Sequence, residues 1–187
     1  KITALFIFIM VISTSVASAL TPMQSAFSNL DRFISSYVEG RENEPDASDS
    51  GKVILGNERL LTEYSHLIKG KRLGLVTNQT GVDSAMVKTV DKLYNYNEAE
   101  LTAIYSPEHG LDGKTLAGKY VASYTDKTLN LPVYSLYGET REPSKAMMEN
   151  VDVMIFDMQD IGSRTYTYMS TLNYVMRAGK KYGKPVI

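Results

Sequence analysis

Apolar and polar positions alternate in three different ways along the chain. Apolar residues dominate from Ile2 to Ile12, directly after Lys1, and small residues then close with Ala17-Ser18-Ala19. A basic start, a short hydrophobic stretch and an Ala-x-Ala ending predict a cleaved export signal over residues 1–19. The run is too short, and too soon diluted by Ser and Thr, for a stable membrane span. Over residues 20–52 the pattern changes to a helix followed by a linker. Met23, Phe27, Leu30, Ile34 and Tyr37 share one helical face, and Glu39–Gly51 then holds five acids, one Arg and a Pro. That composition cannot build a core and reads as a solvated connection.

From residue 53 onward, short apolar runs ending in polar residues alternate with helical spacing. Arg72–Asn78, Leu101–Pro107, Leu131–Tyr137 and Val151–Asp157 read as strands. Ser84 is placed to cap a helix carrying Val87, Val90 and Tyr94. A short helix is expected over 144–149, and a longer one over 166–182 with Met169, Leu172, Val175 and Met176 on one face. Pro185 opens a further strand that stops at Ile187, as expected for the N-terminal part of a longer protein. Continuous apolar strands separated by helices predict an α/β, Rossmann-like, doubly wound and mainly parallel sheet with helices on both faces.

Composition narrows the chemistry. With 20 Lys+Arg against 21 Asp+Glu, the net charge of −1 offers no concentrated basic face for nucleic acid. The absence of Cys removes disulfides, thiolate metal sites and thiol nucleophiles. Two His leave little for a metal centre. No Gly-x-Gly-x-x-Gly or Walker-type motif follows the first strand, so no nucleotide cofactor is expected, and no Gly-x-Ser-x-Gly elbow supports a serine nucleophile. No metal site is expected either. Carboxylates remain as the groups to do chemistry.

In open parallel sheets ligands bind beyond the carboxyl ends of the strands. Those ends carry Asn78-Gln79-Thr80-Gly81, Ser106-Pro107-Glu108-His109-Gly110, Tyr137-Gly138-Glu139 and Asp157-Met158-Gln159-Asp160-Ile161-Gly162-Ser163-Arg164. Glu108, shielded after Pro107, would have a raised pKa and act as an acid; alternatively it caps a turn or pairs with Arg164. Asp157 ends a buried strand, where it is either held by the fold or contacts substrate. Asp160 sits further out in the Gly-flanked turn. His109 could ligate a metal or bond to a sugar hydroxyl or acyl group. Arg164 could clamp a substrate carboxylate or pair with Asp157 or Asp160. Tyr166 and Tyr168 offer the flat face and hydroxyl that suit a sugar ring.

Four stretches together resemble the exo-β-N-acetylmuramidases, peptidoglycan hexosaminidases long carried as a domain of unknown function. They are Gly74-Leu75-Val76-Thr77-Asn78-Gln79-Thr80-Gly81-Val82-Asp83, Ser106–Gly110, Leu131–Gly138, and Phe156–Gly162 with Arg164 and Thr165-Tyr166-Thr167-Tyr168 following. The resemblance covers about residues 53–187. It implies a Rossmann-like catalytic domain truncated at Ile187, followed in the whole protein by a smaller second domain with the active site between them. It further implies an exported, periplasmic or extracellular enzyme that acts on peptidoglycan-derived muramyl glycan and releases N-acetylmuramic acid from the non-reducing end.

By this resemblance Glu108 is the leading catalytic residue. The residues of the rim themselves suggest Asp160 or Asp157 as its partner, and Asn78, Gln79, His109, Asp157, Gln159, Arg164 and Tyr168 as substrate contacts. Carboxyls about 5 Å apart would point to retention and about 6.5–9.5 Å to inversion, while the 2-acetamido group allows substrate assistance. A non-catalytic envelope module binding muropeptides or sugars on the same rim is the alternative. A metal-dependent hydrolase using Glu108, His109 and Asp160 ranks behind both.

Overall fold

Arg72–Thr77, the first apolar run, forms strand β1, in which every residue after Arg72 is buried. It belongs to a computed structural model that describes residues 53–187. The export signal of residues 1–19 and the helix and linker of residues 20–52 lie outside the described residues. Strands β2 (Glu100–Ser106), β3 (Tyr124–Asp126), β4 (Leu131–Ser135) and β5 (Val153–Asp157) complete a five-stranded sheet of order β3-β4-β2-β1-β5. β1 pairs in parallel with β2 and β5, and β2 in parallel with β4; β3 is antiparallel to β4. Outside β5 the chain returns at Val186, which bridges Met154 in parallel. This is the mainly parallel α/β sheet expected from the sequence. Its winding reverses between β1 and β5, so the carboxyl ends of these two strands form the crevice where such sheets bind ligands.

Side-chain alternation feeds two apolar layers. Leu73, Leu75, Val153 and Ile155 face Leu60, Ile68, Val90 and Leu93, contributed by α1 (Gly56–Leu61), the segment after the 3₁₀ turn Ser65–Leu67, and α2 (Thr89–Tyr94). Val76, Ala103, Tyr105 and Met154 face Val175 and Ala178 of α3 (Tyr168–Tyr182). Strict alternation fails once. Leu73 pairs with Leu101 and Gly74 with Ala103, leaving Thr102 as an extra residue. Its hydroxyl donates to the carbonyls of Leu73 (3.1 Å) and Asn150 (2.7 Å). The resulting β-bulge lets Leu101 and Ala103, two apart in sequence, serve opposite layers.

Three local expectations change. Helix α2 begins at Thr89 behind Lys88; Met86 has a positive φ of 63° that stops any earlier start, and the Ser84 hydroxyl binds Glu58 instead of capping. Residues 145–150 form turns rather than a helix. Helix α3 buries Tyr168, Thr171, Val175, Ala178 and Gly179, leaving Met169 and Met176 more than half exposed at 59% and 55%. Close approach explains the rotation: a methyl on Gly179 would meet the Lys184 carbonyl at 2.7 Å. The helix therefore sets its small residues, not its methionines, against the returning chain.

Candidate active site

Leaving β2, the Gly110 N–H bonds to the Pro107 carbonyl at 3.1 Å. This closes a four-residue turn with His109 at its third position, φ 70°. The left-handed region at that place favours Gly, and a side chain there costs roughly 1–2 kcal/mol. His109 is tied down on both sides of the residue. Its Nδ1 lies 2.7 Å from the Thr115 carbonyl, and the Thr115 N–H returns a bond to the His109 carbonyl at 3.1 Å. A carbonyl only accepts, so Nδ1 carries the proton and Nε2 is the ring nitrogen left for a ligand.

Glu108, at the second position of this turn, is 8% exposed. Its Oε1 accepts from the Gly118 N–H and its Oε2 from the Thr167 hydroxyl, both at 2.8 Å. Burial pushes the carboxyl pKa up, but bonds from Gly118, Thr167 and Tyr137 and the nearby His109 outweigh it, so the net shift is below the usual range. The raised pKa expected from sequence is thus replaced by a lowered one, because shielding from water arrived together with donors that favour the anion. Thr167 is the N-cap of α3, yet its hydroxyl makes no cap bond there. Glu108 takes that hydroxyl instead, at the positive end of the helix dipole.

The β1 and β5 turns are latched together. Asn78, 4% exposed, accepts through Oδ1 from the N–H (2.9 Å) and hydroxyl (2.6 Å) of Thr80. The Thr80 hydroxyl oxygen in turn accepts the Gln159 N–H at 2.8 Å. Asp160, next along, accepts the Gly162 N–H through Oδ1 at 2.7 Å. Tyr168 connects this latch to Glu108. Burial pushes its hydroxyl pKa up, the Asn78 side chain pulls it down as a donor, and nearby Tyr166, Glu108 and Asp160 add to the rise. The Tyr166 and Tyr168 rings meet edge-on at 5.5 Å. Gln79, Glu108, His109, Gly113, Ala117 and the run Thr165–Tyr168 line a pocket of about 360 Å³. Gln79 also borders a neighbouring cleft of about 500 Å³; its amide lies where a side chain on Gly113 would begin, 2.6 Å from that position.

Of the residues expected to bind or react, Gln79, Glu108, His109 and Tyr168 line the pocket. Asn78 and Asp160 adjoin Tyr168 from the two latched turns. Asp157 lies elsewhere. Strand alternation turns it to the side of Val153 and Ile155, where its Oδ2 accepts from the Thr89 hydroxyl and from Asn57 Nδ2 at 3.3 Å. It is held by the fold and is absent from the pocket lining. Gln159 enters the latch through its backbone, while its side chain bends back onto the Asp160 carbonyl at 3.0 Å. Arg164 is exposed, and neither Asp157 nor Asp160 pairs with it among the described residues. Sequence reasoning missed Gly118 altogether, and it placed Thr80, Tyr137 and Thr167 on the rim or in the matching stretches without the bonds by which they build the site. The one signal available, a Thr before a helix, points to a cap rather than to Glu108. Among the described residues no group of three or more His, Asp or Glu is arranged to hold a metal ion.

Comparison with known proteins identifies the family. Residues 73–187 match the family model of the exo-beta-N-acetylmuramidase NamZ N-terminal region. The peptidoglycan beta-N-acetylmuramidase NamZ of Bacillus subtilis (strain 168) is 47% identical over 134 residues, 72% of this chain and 32% of that protein. A crystal structure of a DUF1343 family protein from Bacteroides fragilis superposes with a TM-score of 0.64 at 41% identity, over 71% of this chain and 33% of the other. A second B. fragilis DUF1343 protein gives 0.58 at 32% identity, over 73% and 34%. The chain thus spans about a third of the length of these relatives. With the four turns, the sheet order and these matches in agreement, the chain belongs to the NamZ exo-β-N-acetylmuramidase family, whose N-terminal region it contains.

Proposed function

We propose that this chain carries the Glu108-bearing part of an exported exo-acting glycoside hydrolase that releases N-acetylmuramic acid from the non-reducing end of peptidoglycan fragments. The supporting observation is the buried Glu108 carboxyl in a pocket walled by Gln79, His109 and the Tyr166–Tyr168 pair. The name of the B. subtilis relative supplies the substrate class. Glu108 serves as general acid to the leaving glycosidic oxygen. Because its donors favour the anion in the free protein, the seated glycan must cover the carboxyl and draw Thr167 or Tyr137 away before the proton is available. Asp160 supports the cationic sugar centre. The lactyl carboxylate is met by the exposed Arg164 or by His109, and the tyrosines face the ring.

The same donors favour a second reading, in which Glu108 enters the reaction ionised and removes a proton from water. Both readings are tested on the full-length protein by Glu108→Gln. Release of N-acetylmuramic acid should fall by about 10²–10⁴-fold with muramyl affinity retained. Near-normal turnover in the variant removes Glu108 from either role. Saturable muramyl binding without product by the wild type identifies an envelope-binding module instead.

A further inference from the structure

Among the described residues, two buried polar atoms near Tyr168 have no hydrogen-bond partner: Asn78 Nδ2 and Asp160 Oδ2. One is an amide donor and the other a carboxylate acceptor, and they come from the two turns that Thr80 latches together. The Asn78 amide lies near enough to the Tyr168 hydroxyl to lower its pKa, yet no hydrogen bond of normal geometry joins the two. Leaving such groups unpaired costs roughly 1–3 kcal/mol each, so their persistence together calls for an occupant. Neither Asn78 nor Asp160 lines the Glu108 pocket itself; both adjoin Tyr168, which does.

A donor and an acceptor held by neighbouring turns match the C=O and N–H of one secondary amide. We propose that Asn78 Nδ2 and Asp160 Oδ2 grip the 2-acetamido group of the terminal sugar, and that this group is the nucleophile of a retaining, substrate-assisted hydrolysis. The inference rests on the glycosidase reading above and adds the reaction course to it. The acetamido carbonyl oxygen forms a bond to C1 as the C1–O bond to the leaving sugar breaks, and the Glu108 proton passes to that departing oxygen. The positive charge arising on the amide is neutralised as Asp160 Oδ2 holds its N–H proton, giving a cyclic oxazoline-type intermediate. Water then attacks C1, loses a proton to Glu108, and the C1–O bond of the ring opens with the amide restored. Atoms and charge return to the start, and two inversions leave the anomeric configuration retained. Asn78 fixes the carbonyl for attack, and no second carboxylate nucleophile is needed. Both atoms are closed to solvent in the resting chain. Seating the amide therefore shifts the largely exposed Ile161–Tyr166 segment, where Gly162 has a φ of 71°.

The test uses the full-length protein with aryl β-muramides bearing N-acetyl, fluoroacetyl, difluoroacetyl and trifluoroacetyl groups. The kcat should fall with each added fluorine, proton NMR should show the β-anomer released first, and a muramyl thiazoline should inhibit. Asp160→Ala should lower kcat by about 10²–10³-fold with little change in KM, and should weaken thiazoline inhibition. Turnover that inverts the anomer, or that ignores acyl fluorination, overturns the proposal and leaves a bridging water as occupant of the two atoms. These wild-type readouts stand even if the Asp160 variant fails to fold. Failure to release any muramic acid overturns the glycosidase reading itself, a distinct result.

Discussion

Thr167 donates its hydroxyl to Glu108 at 2.8 Å across 59 positions of sequence, while the first turn of its own helix receives no side-chain cap. A capping residue is worth about 1 kcal/mol to a helix. Here the same hydroxyl stabilises an anion, so its removal should register in the pH profile of the reaction.

With Glu108 as general acid, the active form of the free protein is the protonated one. The donors hold its pKa below the usual carboxylate range, so kcat/KM should decline as pH rises through that acidic value. Thr167→Val removes a donor to the anion, raises the pKa and should move this falling limb to higher pH. A kcat/KM that instead climbs with pH, with its rising limb moved upward by the same substitution, identifies Glu108 as a base. Profiles of wild type and Thr167→Val over the acid-to-neutral range decide the sign.

Thr80→Val deletes the hydroxyl that bonds to both Asn78 and the Gln159 turn. Loss of one partly buried bond and one exposed bond should cost about 1 kcal/mol of stability. It should also lower kcat/KM well below what Thr80→Ser allows, because Ser keeps the hydroxyl. Urea unfolding and steady-state kinetics on the three proteins check this; equal kinetics for Ser and Val would show the latch irrelevant to turnover.

Gly113 and Gly70 both have positive φ, 73° and 70°, but only at Gly113 would a methyl strike a neighbour, the Gln79 amide. Alanine at either should cost roughly 1 kcal/mol in backbone strain. Only Gly113→Ala should raise KM, by displacing Gln79 from the pocket wall. A KM unchanged from that of Gly70→Ala would place Gln79 outside the substrate contacts.

Asp152 anchors the entrance to β5. It accepts from Arg72 Nη2 at 2.8 Å, Nε at 3.1 Å and the backbone N–H at 2.9 Å. Those Arg72 bonds hold its carboxyl well below the usual range against the opposing effect of burial. A depressed folded pKa contributes stability above the unfolded pKa of about 3.9 that is lost as pH falls further. Asp152→Asn should therefore cost about 1 kcal/mol near neutrality, the pair being partly exposed and screened. The gap to wild type should narrow below about pH 4, read by denaturant melts at both pH values.

The sheet, its parallel winding and the turns that carry function were legible because a buried strand must end where polar residues begin. Glu108 and Tyr168 were legible for the same reason. The bonds from Thr167, Gly118 and Tyr137 to Glu108 were not, since they depend on how loops return after the sheet has formed. Asp157 could have been placed by parity alone: two residues beyond Ile155, it must share that residue's side. Helix α3 shows the opposite case. Its methionines matched the apolar period, but backbone proximity at Gly179 chose a different face. Strand β3, three residues long, is too brief to leave a periodic trace.

The bulge at Thr102 divides β2 into two halves with separate obligations. The later half is paired from Ala103 to Tyr105 with β1, and this half delivers Pro107 and Glu108 to the pocket. The extra residue lies upstream, near the opposite rim of the sheet. A one-residue loss there could be absorbed by restoring simple pairing, without reversing any core side chain or displacing the carboxylate. Chain-length variation among homologous proteins should accordingly be tolerated at that lower rim and selected against between Ala103 and Gly110.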